Sequence, residues 1–405
     1  MKPIVRARRM KPVHSDIRGP LFVEAMKRQK QGIDILKLNT GNPATFGFGL
    51  PDSIKNALME HMQDGVGYCD FKGMPQARQA ICDYETSKGI KGITPDDVFI
   101  GNGVSEVVSF ALTPLLNDGD EVLVPSPRYS LWGNSVYLED GKPVFYTCDE
   151  QANWYPDIQD IRSKITDKTK AIVIINPNNP TGVLYPKELL LEIIQIAREF
   201  GLLILADEIY DRLVMDGKQH ISLASLTEDV PVITLNGLSK SHCLCGYRCG
   251  WMVISGPREL TEDYRQGIIQ LTSLRLCANT LAQIVIPAAL DDMETPASMV
   301  RPGGRIYEQR EATVRELEKI DGLSFVKNDA AFYVFPKLDV KKFNITNDKQ
   351  FAHDLLDVTN ILLVPGSGFD WKDPDHFRIV MLPQADILSD AIRRMGTFLD
   401  GYKQK

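Results

Sequence analysis

From about residue 90 the apolar and polar positions settle into a repeating order. A short apolar run ends in a small or turn-forming residue, and a longer stretch with apolar positions at helical spacing follows. The apolar runs are "DVFIGNG", "DEVLVPSP", "KPVFYTC", "KAIVIINP", "LLILADE", "VITLNGL" and "GWMVIS", most of them closed by Gly, Pro, Asn or Asp. Such runs predict buried strands of a mostly parallel sheet, whose two faces are both covered. Between them, "PKELLLEIIQIAREFG" predicts an amphipathic helix. Pro186 suits its first turn, Gly201 follows its end, and Leu190, Ile193, Ile194, Ala197 and Phe200 share one face. Strand–helix–strand alternation of this kind makes an α/β domain, a central sheet flanked by helices.

After about residue 295 the grain changes. "LSFVKNDAAFYVFPKL" and "HFRIVML" read as strands, and "DKQFAHDLLDVTN" and "ILSDAIRRMGTFLDGYK" as helices, which predicts a smaller α+β domain. At 405 residues the chain is too long for one core. The expected division is an N-terminal arm over 1–48 that joins the small domain and covers the site, a large domain over 49–294, and the small domain over 295–405.

Composition narrows the function classes. The net charge is −7 with no basic stripe, which argues against nucleic-acid binding. No apolar run approaches the roughly 20 residues of a membrane span. The opening "MKPIVRARRMK" is basic but has no apolar core, and Pro3 and Pro12 spoil a presequence helix, so a solvated arm is the expectation. Seven cysteines without regular spacing do not form a disulfide framework, which points to the cytosol.

Chemistry concentrates in "LNGLSKSHCLCGYRCGWMVIS", residues 235–255. His242, Cys243, Cys245 and Cys249 lack the paired C-x2-4-C spacing of a structural zinc site, and no second pair supports them. No C-x-x-C is present for dithiol chemistry, so the cysteines read as small apolar residues and no metal is expected. Lys240 follows an apolar strand, which puts it at the carboxyl edge of the sheet, where α/β folds bind ligands. A lone lysine there is ordinarily a solvated one, but this one has company at other strand ends. Asn179 sits in "IINPNNPTG", Asp207 and Tyr210 in "LLILADEIY", and "IGNGVSE" is a glycine turn opening a helix, with free N–H groups for an anion. Amine, acid, amide, phenol and anion-binding helix start are together what pyridoxal phosphate requires. The amine meets its aldehyde, the acid its pyridine nitrogen, and the helix start its phosphate.

With these motifs in place the chain resembles the class I/II aminotransferases of the type I pyridoxal-phosphate fold along nearly its whole length, through "NPNNPTG", "ADEIYD", "SKSHCLCGYRCGW" and "FRI". "DIRGP", "LNTGNP", "GYCDFKG", "INPNNPTG" and "RLCAN" are similar to the bacterial alanine (glutamate–pyruvate) aminotransferase branch. The resemblance implies that Lys240 forms the Schiff base, Asp207 faces the pyridine nitrogen, and Tyr210 and Asn179 contact the ring oxygen. It implies phosphate contacts from Arg248, Ser239 and the helix start at Val104 and Ser105, and ring stacking by Tyr129 of "PSPRYSLW". Tyr68 would reach the phosphate of a neighbouring subunit, which implies a homodimer. Arg378 would grip the substrate α-carboxylate with help from Asn179 and Gly41, since a planar guanidinium binds a carboxylate bidentately. Arg18 is the candidate for the second carboxylate of glutamate.

The expected activity is ping-pong transamination between alanine and 2-oxoglutarate. Aspartate, aromatic or branched donors, C–S β-lyase or decarboxylase chemistry on the same scaffold stay as alternatives, because fold does not settle reaction type. The fold also serves transcription regulators as an effector domain, but those carry a DNA-binding module ahead of it, and barely 35 residues precede "LKLNTGNP" here.

Overall fold

The seven apolar runs all become strands of one sheet in the computed structural model, which describes residues 2–405. The strands are β1 (Val98–Asn102), β2 (Glu121–Ser126), β3 (Lys142–Asp149), a short edge β4 (Tyr155–Pro156), β5 (Thr169–Ile175), β6 (Leu203–Asp207), β7 (Val232–Gly237) and β8 (Cys249–Ser255). Their order is β1-β8-β7-β6-β5-β2-β3-β4. The run from β7 to β3 is parallel, whereas β8 is antiparallel to both its neighbours.

The continuous apolar character of these strands follows from burial on both faces. Along β5, Ile172 and Ile174 pack on one side with Leu190, Ile193 and Ile194 of the helix Lys187–Phe200. Ala171, Val173 and Ile175 pack on the other with Val107, Val108 and Ala111 of the helix Val104–Leu112. The helix Lys187–Phe200 starts one residue later than its sequence implies, with Pro186 at the N-cap, and Gly201 closes it at φ 66°. Phe200, read as part of its buried face, is exposed instead. It is the last residue of the helix, and the Arg162 guanidinium lies over its ring.

The parallel arrangement gathers the chemistry at one edge. Asp207 ends β6, Lys240 lies three residues past β7, and Asn179 four past β5. Because β8 runs the other way, its first residue, directly after Arg248, comes to that same edge.

The C-terminal elements build smaller sheets. Strands β9 (Tyr333–Val334), β10 (Val364–Pro365) and β11 (Phe377–Val380) pair antiparallel in the order β9-β11-β10. The run "LSFVKNDAAFYVFPKL" is therefore not one strand. Leu323–Ser324, Tyr333–Val334 and Lys337–Leu338 pair as short strands and Ala330 bridges Val214, while Ala331 adopts φ 58° and Pro336 has no N–H to donate. Leu36–Lys37 pairs in parallel with Ile361–Leu362, so the N-terminal segment returns to these elements, and Leu38 packs with Phe351, Ile361 and Ile379. Among the described residues no single helix is long and apolar enough to cross a membrane.

Candidate active site

Lys240 lies in a one-turn helix, Leu238–Ser241, that follows β7. Its ammonium donates to the Gly41 carbonyl at 2.8 Å and stands 3.9 Å from the Cys245 sulfur. Burial works against its charge, but Tyr333, Cys245 and Tyr129 favour it, and the balance lies above the usual lysine range.

Asp207 is buried, and its Oδ2 accepts the Trp132 indole N–H at 3.0 Å. Burial pushes its carboxyl up to about 6, against the opposing pull of that hydrogen bond. Tyr210 shares a hydrogen bond with the Tyr333 hydroxyl at 2.9 Å and packs edge-on against the Phe332 and Tyr333 rings.

Arg378 is almost wholly buried on β11. Its Nη1 donates to Asn179 Oδ1 at 2.9 Å and its Nη2 to the Asn39 carbonyl, while Nε has no partner. The Tyr333 and Phe369 rings each lie 4.6 Å from its guanidinium carbon, and burial lowers its pKa. The guanidinium is thus held in one plane by two oxygens and two rings, with no carboxylate paired to it among the described residues.

Arg248 has φ 56° and donates to the Cys245 carbonyl at 3.1 Å. A Cβ added at Gly103 would stand 2.3 Å from its Nη2, so glycine lets the guanidinium reach the start of the helix Val104–Leu112. Val104 and Ser105 are the first two residues of that helix, and Ser239, buried beside Lys240, accepts the Cys245 thiol on its carbonyl at 3.0 Å. Gly41 is equally constrained, because a Cβ there would stand 2.2 Å from the Tyr333 hydroxyl. Tyr129 is half-buried and near enough to Lys240 and Arg378 to act on the charge of both.

Two of the expected residues are not in this cluster. Tyr68 is 82% exposed, beside Val66 and the segment Cys277–Thr280. Arg18 is exposed in the turn before the helix Pro20–Lys30, and no hydrogen bond or ion pair of its side chain occurs among the described residues. The histidine and cysteines after Lys240 point to different partners. His242 meets Ser241 and the Asp292 carbonyl, and Cys243 the Met299 sulfur at 3.8 Å. Burial pushes the Cys243 and Cys249 thiols up to about 12.

Trp132, Tyr333, Phe369 and the Asn39 carbonyl belong to the cluster without having been singled out from sequence. Trp132 carried a signal, three residues after Tyr129 in "PRYSLW". Tyr333 carried none, since its place comes from register. It pairs with Val380, two residues and one pleat from Arg378, so both side chains leave the same face.

This fold, with lysine, carboxylate and arginines converging on one sheet edge, defines a class. The family model described as aminotransferase class I and II matches residues 33–392, and the chain belongs to that family. Among individual relatives, it is 50% identical to the glutamate-pyruvate aminotransferase AlaA of Haemophilus influenzae, over 100% of both chains. It superposes on the crystal structure of an aminotransferase from Escherichia coli with a TM-score of 0.98 and 47% identity over 100% of both chains. On the alanine aminotransferase from Pyrococcus furiosus the TM-score is 0.93, with 40% identity over 98% of this chain and 100% of that one.

Proposed function

We propose that this aminotransferase moves the amino group between L-alanine and 2-oxoglutarate, with pyridoxal phosphate as cofactor. The observation that carries the cofactor reading is a set of groups each lacking its complement. Asp207 is a buried acid with no cation in an ion pair among the described residues, Lys240 an amine whose hydrogen-bond partners there are a carbonyl and a thiol, and Arg248 a cation at a helix start. A pyridinium nitrogen, an aldehyde and a phosphate are the matching complements. When bound, the cofactor supplies an aldehyde that takes up amines and a ring that withdraws electrons from the substrate α-carbon.

The chain's residues then have definite tasks. Asp207 would favour a proton on the ring nitrogen, Asn179 and Tyr210 would donate to the ring oxygen, and Tyr129 would stack on the ring. Arg248, Ser239 and the amides at Val104 and Ser105 hold the phosphate, with Tyr68 doing so across a homodimer interface. Arg378, its plane fixed by Asn179, Asn39 and two rings, binds the substrate α-carboxylate. Lys240 Nζ, held by the Gly41 carbonyl, would carry the proton from the substrate α-carbon. Arg18 would meet the second carboxylate of glutamate if the arm over 1–48 folds across the mouth of the site. We take that arm to work with the small domain over 295–405, on the pairing of Leu36–Lys37 with Ile361–Leu362, and leave 49–294 as the large domain. Seven free cysteines favour a cytosolic setting.

Alanine as donor is supported by the relatives named above, at 40–50% identity over nearly the whole chain. The test is a panel of amino donors with 2-oxoglutarate, scored for glutamate formed. Alanine should be fastest, with pyruvate as co-product. Aspartate or phenylalanine as the fastest donor would end the alanine reading and leave transamination intact.

A further inference from the structure

The helix Val104–Leu112 carries an acid in its first turn, close to where the reading above puts a phosphate. Glu106 is its third residue, and its carboxylate folds back over the helix start. Oε2 accepts the Asn102 backbone N–H at 2.7 Å, and Oε1 accepts the Asn102 side-chain amide at 3.0 Å. An acid there suits the helix dipole but competes with any anion drawn to the same free N–H groups.

Arg275, the last residue of the helix Arg258–Arg275, answers that charge. Its Nη1 reaches Glu106 Oε2 at 2.5 Å, and no other carboxylate pairs with it among the described residues. Its Nη2 donates to the Ile100 carbonyl in β1 and to the Phe71 carbonyl, each at 3.2 Å, and its guanidinium lies over the Phe110 ring. The side chain is only 14% exposed, so this pair is not a solvent-screened surface contact. Phe71 is three residues from Tyr68, and Asn102 Oδ1 accepts the Asn279 N–H at 2.9 Å. One arginine thus joins the helix start to the segment that carries Tyr68.

We propose that Arg275 is a positioning residue for the phosphate end of the cofactor site. It cancels the Glu106 charge at the helix start, and its bond to the Phe71 carbonyl steadies the segment that carries Tyr68 toward the partner's site. The inference rests on the pyridoxal-phosphate reading, and its test separates the two.

The full chain, freed of cofactor, is titrated by tryptophan fluorescence with pyridoxal phosphate and with pyridoxal, which lacks the phosphate. Arg275→Met should weaken pyridoxal phosphate about tenfold or more, while pyridoxal changes less than about twofold. Adding Glu106→Gln to that variant should restore most of the loss. Glu106→Gln alone should tighten pyridoxal phosphate by about twofold to fivefold, with the gain shrinking in high salt. This second variant removes no packing and keeps the test decisive if Arg275→Met folds poorly. Equal weakening of both ligands, failure of Glu106→Gln to restore binding, or weaker pyridoxal phosphate binding by Glu106→Gln alone would overturn the inference. A parent chain that binds neither ligand would overturn the cofactor reading, and this inference with it.

Discussion

A carboxylate whose one side-chain donor is an indole N–H, with no cation paired to it, is costly to bury, and Asp207 is in that position. Its carboxyl rises to about 6 in the folded chain, so between the ordinary aspartate range near pH 4 and about 6 the folded state binds the extra proton. Below that window the group costs nothing. As pH rises through it, stability is lost, and above it the full penalty remains. Asp207→Asn should therefore stabilise the cofactor-free protein at pH 8, by on the order of 3 kcal/mol, and give little gain at pH 4. Urea unfolding of both proteins at the two pH values measures this, and a variant less stable than its parent at pH 8 would contradict it. The same substitution should cost orders of magnitude in transamination, because the charge that burdens folding is the one the cofactor ring needs. At this scale the sequence singled out Lys240, Asp207, Asn179 and Arg378 through their neighbours in the chain, and the fold brings these four residues together. Tyr333, Phe369 and the Asn39 carbonyl act through strand register and through a loop distant in sequence, so no local pattern marks them.

The turn after β6 is held from behind by a buried ion cluster. Lys88, at the end of the helix Pro75–Ser87, meets Glu85 at 2.6 Å, Glu208 at 2.8 Å and Asp211 at 3.3 Å. Asp211 also accepts the Tyr84 hydroxyl at 2.6 Å and the Asn236 amide on β7 at 2.7 Å, and Glu85 accepts the Trp251 indole on β8 at 3.1 Å. One ammonium therefore ties together the elements that present Asp207, Lys240 and Arg248. Lys88→Met would leave three buried carboxylates without their shared cation and should cost about 3–5 kcal/mol in urea unfolding. A loss under about 1 kcal/mol would mean the acids find water or protons readily. "ETSKG" holds Glu85 and Lys88 but not the pairing with Glu208 and Asp211, which lie about 120 residues on in the turn after β6. The strands themselves were legible because burial on both faces makes their apolar runs continuous. Their order, and the reversed direction of β8, were not, since pairing leaves no mark on a single strand.

For the whole molecule, Tyr68 stands exposed within an apolar surface. Met59, Met62, Val66, Leu274, Leu276 and Leu281 are all exposed, and a Cβ at Gly65 would meet Leu281, so part of this apolar surface is continuous with the Tyr68 segment. The proposed homodimer would bury that surface and carry Tyr68 to the partner's phosphate site. Light scattering should give twice the 45.4 kDa chain mass, and a mass of one chain would rule the homodimer out. Lys240 is proposed as the amine that joins the cofactor. Borohydride reduction of the cofactor-loaded protein, followed by digestion and mass spectrometry, should leave one pyridoxyl group per chain, on the peptide containing Lys240. A label on any other lysine, or no label on a chain that still transaminates, would contradict it.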